Sequence, residues 1–372
     1  MIYIHIPFCK QRCIYCAFYS VASKSGIQEY VDALCKELVM RKSYLKTEKI
    51  ETIYFGGGTP SVLSIAQLCQ VYNVFKQNYD LSDLCEVTME ANPEQLTIDY
   101  LEDLKRLEFI NRISIGVQTF DDYGLKILNR CHTGKMAIDA VNNAYKIGFD
   151  NITVDLIYGI SGSDATQWQN NLNILETLNV KHLSCYALTV EPGTMLYTLI
   201  QKGKIANVDE NEIIRQYDIL IDWVKRNDFV QYEISNFAKP GYEAKHNSRY
   251  WNATAYMGVG AAAHSFNGSS RQWNIDNVVQ YISAIDKGEI PCTIETLSEK
   301  DMYNEYVMTA LRTTKGLESC MLNKYLHFWN DAEKYIDTYM RNGMMIKTET
   351  GYKLSEKGLL FADAIASDLF RL

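Results

Sequence analysis

"HIPFCKQRCIYC", residues 5–16, sets three cysteines at spacings of four and then three. Four readings of such a trio are open: core thiols, one disulfide with a spare, a zinc site, or an iron–sulfur site. The run "IYIHIPF" (2–8) is rich in β-branched and aromatic residues and reads as a strand, so the thiols lie on the loop that leaves it. Cys-x3-Cys-x2-Cys gives three thiolates on one tight loop, enough for three corners of a four-iron cubane with one iron left open for a small molecule. Structural zinc takes four protein ligands, usually as two separated Cys-x2-Cys pairs. No second pair follows, although His5 stands on the strand as a possible fourth ligand. The iron–sulfur reading is preferred to zinc, and zinc to a chance cluster.

Further strand candidates follow at "TIYFGGG" (52–58), "EVTMEAN" (86–92), "RISIGVQ" (112–118), "NITVDLIYG" (151–159) and "HLSCYALTV" (182–190). Between them lie segments such as "GIQEYVDALCKELVMRKSYL", where apolar residues return every three or four positions as on an amphipathic helix. Strand alternating with helix six times implies parallel strands joined by right-handed crossovers. The expected fold class is therefore α/β, an incomplete (β/α)6 TIM-like barrel, with an open doubly wound sheet as the rival. The strands end in cysteines, in "GGGTP", at Glu90 and Asn92, at Gln118, and around Asp155. In barrels the loops after the strands share one face, so these endings predict one common site.

The pattern changes after residue 200. A helix over about 208–227 precedes "FVQYEISNFA", a strand candidate, and then "HNSRYWNATAYMGVGAAAHSF" (246–266). From about 298 a helix runs to a stop at Gly316, and two short strands flank Thr350–Gly351 before a last helix. The division expected is a barrel over 1–235, a connecting segment over 236–297, and a mostly helical, winged-helix-like domain over 298–372.

With 372 residues, 47% of them hydrophobic, the chain can bury a large core. A net charge of −8 argues against a nucleic-acid binder, and the winged unit reads as a packing or docking module. No apolar run is long enough to span a membrane, and "MIYIHIPFC" lacks the features of a signal peptide. Ten cysteines without an export signal do not make a disulfide scaffold. Seven of them, Cys35, Cys69, Cys85, Cys131, Cys185, Cys292 and Cys320, stand among apolar neighbours, and most are expected to be buried. The expected compartment is the cytoplasm.

"YIHIPFCKQRCIYCAF" resembles the radical S-adenosylmethionine (SAM) superfamily and, within it, the HemN/HemW group, over essentially the whole chain. The resemblance implies a [4Fe-4S] cluster on Cys9, Cys13 and Cys16, with SAM on the open iron. It places Tyr3 and Tyr15 beside the SAM pocket, and Gly57, Gly58 and Thr59 along the methionine amino end. A side chain at the glycines would block that approach. Glu90 in "MEANPE" is similar to the ribose-binding acid. Gln118, Arg130 and Asp155 match further SAM contacts, Arg130 suiting the SAM carboxylate. Ala187 matches the adenine-side backbone position. Each has an ordinary reading as well, Arg130 as a surface residue and Asp155 as a capping group.

Two branches of the group are in play. Oxygen-independent coproporphyrinogen III oxidases generally carry another cysteine two residues after the third, where this chain has Phe18, and an N-terminal extension ahead of the first strand. "HNSRYWNATAYMGVGAAAHSF" instead resembles segments of the heme-chaperone branch, which implies heme binding and delivery to an acceptor protein. His246 is the expected heme-linked residue, with Tyr250 and Trp251 beside it; His264 stays unassigned. Ala17 departs from the aspartate common after the third cysteine in that branch. The resemblance further implies an electron donor such as a flavodoxin or ferredoxin, and peripheral membrane contact only through the acceptor. SAM cleavage would make it an enzyme; coproporphyrinogen oxidation is the alternative function.

Overall fold

The computed structural model describes residues 1–23, 25–47 and 49–371. Alternation along the strands organises it. In β1 (Ile2–Ile6), β2 (Thr52–Gly57), β3 (Glu86–Ala91), β4 (Arg112–Gln118), β5 (Ile152–Tyr158) and β6 (His182–Ala187), every second residue is apolar and, apart from Gly57 and Ala187 at the strand ends, buried. Ile2, Ile4, Ile53, Phe55, Val87, Met89, Ile113, Ile115, Val154 and Leu183 belong to one core that also takes in the helices outside the sheet. Burying such a side chain contributes roughly 1.5–3 kcal/mol, so this outward face fixes the register of each strand. The residues between them, Tyr3, Tyr54, Glu90, Ser114, Asp155 and Tyr186, point the other way and line a cavity.

The six strands are parallel neighbours in sequence order. Their sheet does not close. Beyond β6 it continues antiparallel into β8 (Asn236–Ala238) and β7 (Val230–Gln231), and beyond β1 into the parallel strand β9 (Met257–Val259). The incomplete (β/α)6 barrel expected from the sequence is thus the architecture found. The helix Ile65–Asn78 opens with a reciprocal capping box between Ser64 and Gln67, and Ala165–Glu176 with one between Asp164 and Gln167.

The second half departs from the sequence expectation in several places. "FVQYEISNFA" is not one strand: the Glu233 carboxylate accepts from the Ser235 N–H at 2.9 Å and from the Asn236 side chain, which folds the chain back between β7 and β8. β8 and β9 belong to the barrel sheet, so the boundary expected at 235 cuts through that sheet. The connecting segment adds an antiparallel sheet of β10 (His264–Phe266), β11 (Ser270–Asn274) and β12 (Cys292–Thr296).

The helix expected to stop at Gly316 ends at Leu311, because Thr313 bridges to Glu233 and Arg312 O accepts from Ile234 N. After it, β13 (Leu317–Glu318), β14 (Met345–Lys347) and β15 (Gly351–Leu354) form a small sheet packed with helices around a core of its own. Of the seven scattered cysteines only Cys185 is buried; Cys85 and Cys320 are exposed, and the rest are half-buried. Cys85 lies in the turn before β3, where its thiol bonds Glu51 O at 3.3 Å instead of packing. Among the described residues no helix is long and apolar enough to cross a membrane.

Candidate functional site

Where the strands end, a cavity of about 740 Å³ opens. Tyr3, Cys9, Cys13, Tyr15, Cys16, Gly57, Gly58, Thr59, Glu90, Gln118, Arg130, Asp155, Ala187 and His246 all line it, although they are spread over more than two hundred positions of the chain.

The cysteine loop is held from three sides. Cys9 N donates to Val21 O at 3.0 Å, Ile14 N to Leu128 O at 3.3 Å, and Leu196 N to Ile14 O at 2.8 Å. The Asn129 side chain donates to Arg12 O at 2.8 Å. Cys9 Sγ accepts from the Thr59 hydroxyl and Cys13 Sγ from Arg130 Nη1, each at 3.4 Å. Burial raises the Cys9 and Cys16 thiols above their ordinary value, so an added cation is what would make them thiolates. Among the described residues no three histidine, cysteine or carboxylate side chains converge on a single ion, as a tetrahedral zinc shell requires. Three cysteines on one loop match the three protein ligands of a cluster with one open iron, whereas structural zinc takes four protein ligands.

The glycines have a different reason for their type than ligand access alone. Gly57 has φ +109°, and a Cβ there would lie 2.6 Å from the His5 ring. A Cβ on Gly58 would lie 2.8 Å from Ile6 O and 2.9 Å from the Pro7 carbonyl carbon. β2 therefore crosses the β1 exit at glycine distance, whatever the cavity holds. Gly57 N–H then donates to Glu90 Oε2 at 3.1 Å, and Tyr54 OH to Oε1 at 2.8 Å. Burial pushes the Glu90 carboxyl up to about 7; Asp155 adds to this, while the Tyr54 and Gly57 bonds oppose it.

Arg130 spans the floor: Nη2 donates to Asn92 Oδ1 at 2.7 Å and Gly116 O at 2.5 Å, while Nη1 faces Cys13. It is no surface residue. Asp155 does not cap a helix; it accepts from Ser114 Oγ at 3.2 Å, and burial raises its carboxyl. Gln118 sits at a register shift between β4 and β5 with φ +68°, turning it into the cavity.

His246 differs from its expected part. It is fully buried, Nδ1 bonding Thr52 Oγ1 at 2.9 Å and Nε2 the Tyr250 hydroxyl at 3.1 Å. Its N–H and that of Lys245 donate to the buried Glu86 carboxylate. With both ring nitrogens engaged, it holds the helix Lys245–Trp251 against β2 and reaches the cavity only as floor. The sequence reading also passed over Tyr54, Ser114 and Tyr186. Their signal was the polar member of each strand's alternation.

A three-cysteine loop at the first strand of an open six-fold barrel, facing a polar cavity at the strand ends, is the arrangement of a radical SAM protein, and the pattern of the Radical SAM superfamily matches residues 3–173. The chain is 37% identical to the Heme chaperone HemW of Bacillus subtilis over 98% of this chain and 97% of that one. It is 29% identical to the Heme chaperone HemW of Mycobacterium tuberculosis over 99% of this chain and 94% of that one. Among solved structures, coproporphyrinogen III oxidase (HemN) from Escherichia coli superposes with a TM-score of 0.86 at 22% identity, covering 99% of this chain and 89% of that one. The chain belongs to the HemW family.

Proposed function

We propose that this protein binds heme and delivers it to an acceptor protein from a radical SAM core. The observation that carries the core is the single cavity shared by the three thiols, the glycine strip, Glu90, Arg130 and Asp155. In this reading Cys9, Cys13 and Cys16 hold a [4Fe-4S] cluster whose open iron takes SAM, and that cluster supplies the electron for reductive SAM cleavage. The chain's own groups orient the ligand. Glu90 keeps lone pairs free for ribose hydroxyls beyond the two bonds it accepts, and Arg130 keeps N–H donors for a carboxylate. Tyr3, Tyr15, Gln118 and Ala187 close the walls and exclude water. Heme is cargo. An electron donor of the flavodoxin or ferredoxin type and a cytoplasmic setting complete the reading, with membrane contact only through the acceptor.

The relatives matched over nearly their whole length are heme chaperones by name, which supports the chaperone over the oxidase, whereas the likeness to the oxidase structure is one of fold. Phe18 stands where the oxidases generally carry a further cysteine. The test is anaerobic incubation of cluster-reconstituted protein with dithionite, SAM and coproporphyrinogen III, beside a hemin titration. Stoichiometric hemin binding without porphyrin decarboxylation is expected. Protoporphyrinogen IX accumulating over many turnovers would overturn the reading in favour of the oxidase.

A further inference from the structure

The chain has six histidines, and five are committed. His5 bonds the Tyr3 hydroxyl and Tyr19 O, and His132 bonds Val117 O and faces Glu94. His182 is fully buried against the Tyr232 hydroxyl, and His246 is held as described above. His327 lies on the C-terminal unit beside Glu299. Neither ring nitrogen of His264 has a hydrogen-bond partner among the described residues, and its ring stacks on Trp273 at 6.0 Å between centroids and 24° between planes.

His264 opens into a second cavity, of about 900 Å³, in the range of sites that take ligands of several rings. It adjoins the first: Tyr3, Ala17, Phe18 and Tyr250 line both. Its other walls include Trp273 and Tyr256. Phe18, directly beyond the cysteine loop, is 68% exposed at the shared rim.

The strand carrying His264 is rigidly set. The Glu37 carboxylate, wholly buried, accepts from Arg41, Asn274, the Gly260 N–H and the Tyr281 hydroxyl at 2.9, 2.7, 2.8 and 2.6 Å. Arg41 reaches on to Gly258 O and to the hydroxyl of Ser265, the residue next to His264. The bonds to Gly258 O, the Gly260 N–H, Gly260 O and the Ser265 hydroxyl fix the turn between β9 and β10. A ligating side chain held in place by buried neighbours loses little entropy on binding.

We propose that the heme cargo occupies this second cavity, with the His264 imidazole as an axial iron ligand and Trp273 alongside the macrocycle, next to the SAM site. This rests on the chaperone reading and names its site. Burial lowers the imidazole's proton affinity, which leaves it neutral and able to ligate at neutral pH. The other soft ligand in the cavity, Cys292, is pushed the opposite way: burial raises its thiol, which disfavours the thiolate that iron requires.

The experiment is an anaerobic hemin titration of the cluster-reconstituted full chain, followed by absorbance, for the unmodified protein, His264→Ala and Trp273→Leu. The unmodified protein should bind one hemin with the bands of a histidine-ligated ferric heme. His264→Ala should lose those bands and weaken binding by at least about tenfold, and added imidazole should restore the bands, which also shows that the variant is folded. Trp273→Leu should weaken binding and leave the ligand bands in place. If the unmodified protein binds hemin and His264→Ala binds it with the same affinity and bands, the site is elsewhere and the assignment falls. If the unmodified protein binds no hemin, the chaperone reading falls with it.

Discussion

Glu90→Gln separates the cost of the cavity from its use. Burial raises the Glu90 carboxyl from its ordinary 4.5 to about 7 in the ligand-free fold. Between those values the folded chain holds a proton that the unfolded chain has released, so stability falls as pH rises through that window and is lower above it. A shift of that size corresponds to about 3 kcal/mol, and water in the open cavity reduces the expected effect to about 1–2 kcal/mol. Glutamine carries no charge at either end of the window. Like the protonated parent it offers one acceptor fewer to the Tyr54 hydroxyl and the Gly57 N–H, and the bonds that only the carboxylate accepts are already contained in where Glu90 titrates. Urea unfolding of the ligand-free protein at pH 4.5 and pH 8 should therefore show the variant gaining about 1–2 kcal/mol on the parent between the two conditions. In the cluster-reconstituted protein the same change should weaken SAM binding by about tenfold, since an amide oxygen accepts fewer hydroxyl protons. A stability difference that does not move with pH would refute the claim that a buried, titrating carboxyl faces this cavity.

Three further outcomes follow from particular contacts. Glu37→Ala leaves Arg41 buried without its counter-charge and should cost about 3–5 kcal/mol; a loss below about 1 kcal/mol in urea unfolding would mean that the cluster does not anchor the β9–β10 turn. Gly57→Ala forces a positive φ on an L-residue and drives its Cβ into the His5 ring, so a loss of at least about 2 kcal/mol is expected in thermal melting, and a neutral result would contradict the close β1–β2 crossing. Cys13→Ala should abolish the near-ultraviolet and visible cluster absorbance and the bound sulfide after anaerobic reconstitution; an intact spectrum would remove Cys13 from the ligand set.

Much of the site was readable because its residues fall at strand ends. Once "IYIHIPF" and the five later runs are strands, their alternation sends Tyr3, Glu90 and Asp155 inward, and parallel pairing brings the ends to one face. The roles of Gly57 and Gly58 were half legible: their type followed from close approach, but the partner is the β1 exit and the His5 ring. His246 misled for a plain reason. A histidine in a motif advertises a ligand, and only packing reveals that Thr52 and Tyr250 already hold both nitrogens.

The sequence by itself determined the six strands, their alternation with helices and the cysteine loop, because these rest on local periodicity and short spacings that each segment carries within itself; the strand order that makes a barrel of them came from the structure. Only the tertiary structure decided that β8 and β9 extend the barrel sheet, that Glu37 on the first helix anchors residues 258–265, and that both ring nitrogens of His246 are hydrogen-bonded while those of His264 find no partner among the described residues. Those facts depend on contacts between segments far apart in the chain, and whether a buried polar group is free or engaged is set by partners that no local pattern names.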